Sequence, residues 1–184
     1  KDIAVTSRMN HNTGEKTEIG KYAAKLIEQD DFVYLDAGTT VSHMLEYITT
    51  KDAVFVTNGI SHAQTLSRKG ITVYLLGGML KPATEAVIGL QAAESLERYH
   101  FTKGFFGTNG ADREHGFTTP DPAEAMIKEN AMKKCRKSYV LADSTKISQT
   151  APVKFAEFSD AWLITTKVKD KELKKEKNII EVRK

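Results

Sequence analysis

The sequence predicts an α/β domain: a mostly parallel, twisted sheet flanked by helices. Three observations carry this. Short runs rich in β-branched and aromatic residues recur along the chain, each is nearly continuous in its hydrophobicity, and stretches with helical spacing separate them. Continuous apolar runs fit strands buried on both faces, as a parallel sheet requires. Strands alternating with helices are how such a sheet is wound.

The first helix is predicted over 15–29, where Ile19, Tyr22, Ala23, Leu26 and Ile27 share one face. Strand-like runs follow at 32–35, 53–56, 71–76, 104–106, 138–142 and 161–165. Helical stretches at 41–48, 60–68, 90–99 and 123–136 lie between them. The last of these follows Pro120-Asp121-Pro122 and carries Met126, Ile127, Ala131 and Cys135 as an inward stripe. Cys135 then reads as a small core residue and not as a reactive thiol. Segment 167–177 holds six lysines among three acidic residues and reads as a solvated helix. One domain spans 1–184, with the polar stretch 1–14 as a linker or N-terminal extension.

Composition narrows the function classes. A chain of 184 residues with 40% hydrophobic content can bury one good core. A net charge of +3 gives no electrostatic case for nucleic-acid binding by this segment. The single cysteine excludes an internal disulfide and a multi-cysteine zinc site. The five histidines (His11, His43, His62, His100, His115) show no ligand spacing. Neither a metal nor a cofactor is expected. No run approaches the roughly 20 apolar residues of a membrane span, so no membrane association and a cytoplasmic location are expected.

Ligands of open α/β sheets bind at the carboxyl ends of the strands, and here those ends are small and polar. The first run ends in Asp36-Ala37-Gly38-Thr39-Thr40 and leads into a helix. Gly38 allows close backbone approach, Thr39 and Thr40 offer hydroxyls, and the N–H groups of the helix start suit a phosphate. Asp36 would repel phosphate; it suits sugar hydroxyls, loop amides or a helix cap. Later runs end in Thr57-Asn58, Gly77-Gly78, the 107–110 segment with Asn109 and Gly110, and Asp143-Ser144-Thr145-Lys146. Turn and capping preferences explain any one of these loops, but five at one sheet edge suggest a polar pocket for a small anion. Lys128 and Lys146 are the candidate countercharges, and replacing either by Ala should weaken binding more than folding. Glu124 and Lys128, at i and i+4, also make a plain surface ion pair.

These residues together resemble the effector domain of DeoR-type bacterial sugar-operon repressors. The resemblance runs through Asp36-Ala-Gly-Thr-Thr, Thr57-Asn58, Gly77-Gly78, the 104–110 segment, Glu124 with Lys128, and Ala142-Asp143-Ser-Thr-Lys146. It implies a phosphorylated sugar inducer, a homo-oligomer, and operator DNA bound through an N-terminal winged helix-turn-helix outside this sequence. Residues 116–121 look most like fructose-operon repressors, which makes fructose 1-phosphate the leading ligand. The effector fold is similar to ribose-5-phosphate isomerase and CoA-transferase-like folds, and an isomerase is the alternative function. Isomerases carry an Asp-Gly-Ala-Asp-Glu motif whose first Asp moves a proton. The matching stretch here is Asn109-Gly110-Ala111-Asp112-Arg113, and an amide is no general base. Residues 115–119 also lack the isomerase lysine, although Asp112 and Glu124 match. A sensor that retains the pocket without the catalytic groups is the expectation.

Overall fold

The computed structural model describes residues 12–182. Its centre is a seven-stranded sheet in which every paired neighbour is parallel: β1 (Phe32–Leu35), β2 (Val54–Thr57), β3 (Val73–Leu75), β6 (Phe101–Gly107), β9 (Cys135–Leu141), β11 (Trp162–Thr165) and β12 (Ile179–Glu181). Their spatial order is β12-β11-β9-β6-β1-β2-β3. Alternation along each strand sends side chains to opposite faces. Val33 and Leu35 of β1, Phe55 of β2 and Leu141 of β9 join one core cluster. Tyr34, Val56 and Val140 join the other.

Helix α1 (Thr13–Lys25), α2 (Thr39–Ser42) and α3 (Ile60–Arg68) cover the first face. The second is covered by α4 (Leu90–Ser95) and α5 (Pro122–Lys133). Helix α1 begins inside the stretch read as linker; residues 1–11 of that stretch lie outside the described residues. It ends four residues before its expected limit, and its inward stripe is Lys16, Ile19, Gly20, Ala23 and Ala24.

Three features differ from the sequence expectation. The stretch 41–48 is no continuous helix: α2 is a single turn, followed by a 3-10 turn at Leu45–Tyr47. Cys135 does not continue the α5 stripe. The helix stops at Lys133, and Cys135 opens β9 with its thiol donating to the Ala131 carbonyl at 3.2 Å. The lysine-rich tail is mainly irregular. It holds only α6 (Lys171–Lys174), anchored by buried Leu173 and capped by Asp170.

Two small antiparallel sheets escape the pattern of apolar runs. One is the hairpin of β4 (Met79–Lys81) and β5 (Ala86–Ile88). The other joins β7 (Gly110–Asp112), β8 (Gly116–Thr119) and β10 (Val153–Ala156). The winding reverses at β1. Successive strands leave it toward β2 and β3, and the chain then returns to place β6 on its other side. The crevice at such a switch point is where α/β sheets hold ligands.

Candidate functional site

At the switch point the loops after β1 and β6 are tied together. The Asp36 carboxylate, 3% exposed, accepts the Gly107 N–H at 3.0 Å and forms an ion pair with the Lys128 ammonium. Lys128, 9% exposed on α5, also donates to the Gly107 carbonyl at 2.9 Å and stands 5.2 Å from the Phe155 ring centre. Gly38 and Gly107 face each other so closely that a Cβ on Gly38 would sit 3.5 Å from the Gly107 Cα. Asp36 thus holds the Gly107 amide at the end of β6 and does not cap α2, whose N-cap is Gly38. Lys128 is committed to a buried pair, which displaces its reading as the free countercharge and its surface pairing with Glu124. Glu124 instead binds Lys81 of β4 at 3.2 Å, and Asp121 shares that ammonium at 2.9 Å.

Lys16 of α1, which sequence reasoning passed over, reaches this site. It is 2% exposed, and its ammonium donates to the Thr39 hydroxyl at 3.1 Å. The sequence did contain a signal: Lys16 stands three and four residues before Ile19 and Gly20, so a charge occupies the apolar stripe of an amphipathic helix. The neighbouring residues of α1 bind the loop after β9. Glu15 accepts from the Ser144 N–H and hydroxyl, both at 3.0 Å, and the Asn12 amide donates to Asp143 at 3.2 Å. The first turn of α1 therefore stitches the β1 loop to the β9 loop. Asp143, fully buried, caps the 3-10 turn at Ser144–Lys146 by accepting from the Thr145 N–H at 2.9 Å. Its Oδ2 has no hydrogen-bond partner among the described residues. Lys146 is half-buried, and its ammonium likewise has no ion pair or hydrogen bond among them.

The remaining expected residues divide by role. Thr40 is buried in the first turn of α2. The Thr57 hydroxyl is already spent: it donates to the Leu35 carbonyl at 2.6 Å and accepts the Gly59 N–H at 3.1 Å. Asn58 donates to the Val87 carbonyl at 3.1 Å, and its buried Oδ1 has no partner among the described residues. Gly77 and Gly78 lie exposed before β4. A Cβ on Gly78 would approach the Ile88 carbonyl to 2.6 Å, which explains the glycine by packing. Asn109 accepts from the Thr119 hydroxyl at 3.3 Å. Gly110 is the first residue of β7 and not a loop position, with its Cα face against the Gln149 carbonyl. Asp112, the other match to the isomerase motif, is used by the β7–β8 turn. It accepts from the Glu114 and His115 amides at 3.1 and 2.7 Å.

Beside the Gly38–Thr39 wall opens a cleft of about 790 Å³ between α2 and α3, closed by Thr84 and Glu85 of the β4–β5 turn. Two imidazoles line it. Burial pushes His62 down to about 4, against the pull of Asp36 and of hydrogen bonds toward the Asp36 and Gly38 carbonyls. Burial also lowers His43, and the nearby Lys16 charge adds to that. No group of three or more His, Cys, Asp or Glu side chains among the described residues could hold a metal. No helix among them is long and apolar enough to cross a membrane.

Residues 11–167 match the model of the DeoR C-terminal sensor domain. The chain is 46% identical over 160 residues to a protein of Bacillus subtilis (strain 168) named as the uncharacterised HTH-type transcriptional regulator FruR. That match covers 86% of this chain and 64% of the relative. It is 35% identical over 162 residues to the HTH-type transcriptional repressor GlcR of the same organism, covering 88% of this chain and 62% of that protein. Each of these two relatives is longer than the chain, which spans under two thirds of its length. The relatives matched in sequence are transcriptional regulators and not enzymes. In fold, the chain resembles ribose 5-phosphate isomerase A of Methanocaldococcus jannaschii, with a TM-score of 0.54 and 14% identity over 74% of this chain and 55% of that one. It resembles eIF2B delta of Chaetomium thermophilum similarly, with a TM-score of 0.55 and 16% identity over 74% of this chain and 49% of that one.

Proposed function

Because the chain belongs to the DeoR C-terminal sensor domain family, we propose that it binds a phosphorylated sugar at the β1–β6 switch point, with fructose 1-phosphate as the leading candidate. Its relatives regulate transcription; on this reading the occupied domain alters operator binding by a helix-turn-helix segment of the longer, cytoplasmic protein. The observation that carries the reading is the buried Lys16 ammonium on the Thr39 hydroxyl. It puts positive charge on the loop whose Gly38 leaves the backbone open. Helix α2 is one turn long, so its free N–H groups, and not a macrodipole, serve an anion there. Lys146, whose ammonium has no partner among the described residues, supplies a second cation from the β9 loop, and on this reading Asn109 and Glu124, though paired with Thr119 and Lys81, contact the sugar.

The first turn of α1 would carry the signal. It holds the β1 and β9 loops at once and directly follows residues 1–11. A ligand that draws these loops together changes what α1 must span, and it shifts the regulator only by its different affinity for the two arrangements. We also infer a homo-oligomer. Tyr74, Leu75, Met79, Leu80 and Leu90 are large apolar side chains left exposed on the β3 edge, the adjoining hairpin and the start of α4.

A panel of sugar phosphates in a thermal-shift screen, followed by calorimetric titration, tests the reading. At least one phosphorylated sugar should stabilise the domain. Lys16→Met and Lys146→Ala should each weaken its binding by about 10-fold to 100-fold, the worth of one charge-assisted hydrogen bond. Both variants binding at the native affinity would remove the site.

A further inference from the structure

We infer that the cleft between α2 and α3 is a second ligand site, for an uncharged polyhydroxy molecule such as a free sugar or polyol. At about 790 Å³ it has the size of a small-molecule site. Three buried polar atoms with no hydrogen-bond partner among the described residues belong to residues that line it: His43 Nε2, His62 Nδ1 and Thr84 Oγ1. Unmet buried polar atoms are uncommon in folded proteins, and several around one cleft mark a place where a ligand completes them.

The chemistry of the walls selects the class. The one lysine of the lining, Lys69, already gives its ammonium to the carbonyls of Leu45, Glu46 and Ile48, at 2.5, 3.2 and 2.8 Å. Glu46 and Glu85 stand at the exposed margin. An anion would therefore meet two carboxylates and no unspent cation. Deeper in, His62 Nδ1 is buried with no partner among the described residues, and the pull of the Asp36 and Gly38 backbone on the ring favours the tautomer in which Nδ1 accepts. Gly59 keeps the space before it open, since a Cβ at that position would sit 3.1 Å from Nδ1. An acceptor imidazole beside the hydroxyls of Thr84 and Ser61 calls for groups that both donate and accept, as sugar hydroxyls do. This site is separate from the switch-point pocket and needs no phosphate, but it shares the Gly38–Thr39 wall. Occupancy of one is thus positioned to change affinity at the other, by the same factor in both directions.

The test is a nuclear magnetic resonance titration of the domain with D-fructose, D-glucose and myo-inositol, with fructose 1-phosphate titrated in parallel. The expected result is amide shifts at Ser61, Thr65, Thr84 and Glu85 with at least one neutral probe. Thr84→Val should weaken that binding about fivefold, the loss of one neutral hydrogen bond, and leave the sugar-phosphate response unchanged. Thr84→Val removes an unpartnered hydroxyl, so its thermal stability should equal or exceed the native value. Ser61→Ala, on an accessible position, gives a second readout. Absence of cleft shifts with all three neutral probes overturns the inference, as do shifts confined to 36–40 and 143–146 or a cleft that answers only to the phosphorylated sugar. A cleft that binds a polyol in a domain that ignores every sugar phosphate keeps this inference and defeats the functional reading above.

Discussion

Replacing Lys128 by Met should damage the fold more than it damages ligand binding, the reverse of what its sequence position suggests. The substitution keeps the apolar stem and deletes the ammonium, which contacts the Asp36 carboxylate and the Gly107 carbonyl. Asp36, 3% exposed, is then left charged with the Gly107 N–H as its remaining hydrogen bond. Breaking a buried ion pair from one side costs about 3–5 kcal/mol, because the abandoned charge keeps its desolvation penalty. At ~2–4 °C per kcal/mol for a domain of this size, melting should fall by roughly 6–20 °C. The assay is a double-mutant cycle by urea denaturation with Asp36→Asn. Asparagine can still accept from Gly107, and the double variant buries no charge, so it should recover about 2 kcal/mol relative to the sum of the single losses. Lys128→Met costing under about 1 kcal/mol while abolishing sugar-phosphate binding would refute this reasoning and return Lys128 to the role of ligand countercharge.

Three further outcomes follow from the geometry. His62 stays neutral in the fold down to about 4, whereas an unfolded chain takes up that proton near its ordinary value of 6.5. The unfolded state therefore binds more protons between those values, and stability should fall by about 3 kcal/mol as pH drops through that window. Denaturation curves for the native domain and His62→Gln at neutral pH and near pH 4.5 check this, and parallel losses in both would clear His62 of the effect. Burial pushes the Cys135 thiol up to about 12. Its reaction with a disulfide reagent at about pH 8 should thus be slow in the native domain and rapid after unfolding; equal rates would show an accessible thiolate. Gly20→Ala would place a methyl 2.5 Å from the His43 backbone, where α1 crosses the chain after α2. It should cost about 1–3 kcal/mol and weaken sugar-phosphate binding by moving Lys16, and calorimetry showing native affinity would disconnect α1 from the site.

The sequence by itself determined the architecture. Runs such as 32–35 and 138–142 are apolar on both faces because a covered parallel sheet demands it, and that period survives any detail of packing. It also located the carboxyl edge of the sheet, since Gly38, Thr57-Asn58 and Asp143 stand at the carboxyl ends of parallel strands. The hairpin β4–β5 and the sheet β7–β8–β10 were not legible, because their strands are short and use turns such as Gly116 where no long apolar run forms. The division of labour among charges was decided only by tertiary structure. From sequence, Lys128 reads as a countercharge and Lys16 is passed over, yet folding brings Asp36 to Lys128 across 92 residues and Lys16 to Thr39 across 23. Local sequence fixes which face of an element a side chain occupies. Which opposite charge or hydroxyl meets it there depends on how α1, β1 and α5 pack around the switch point.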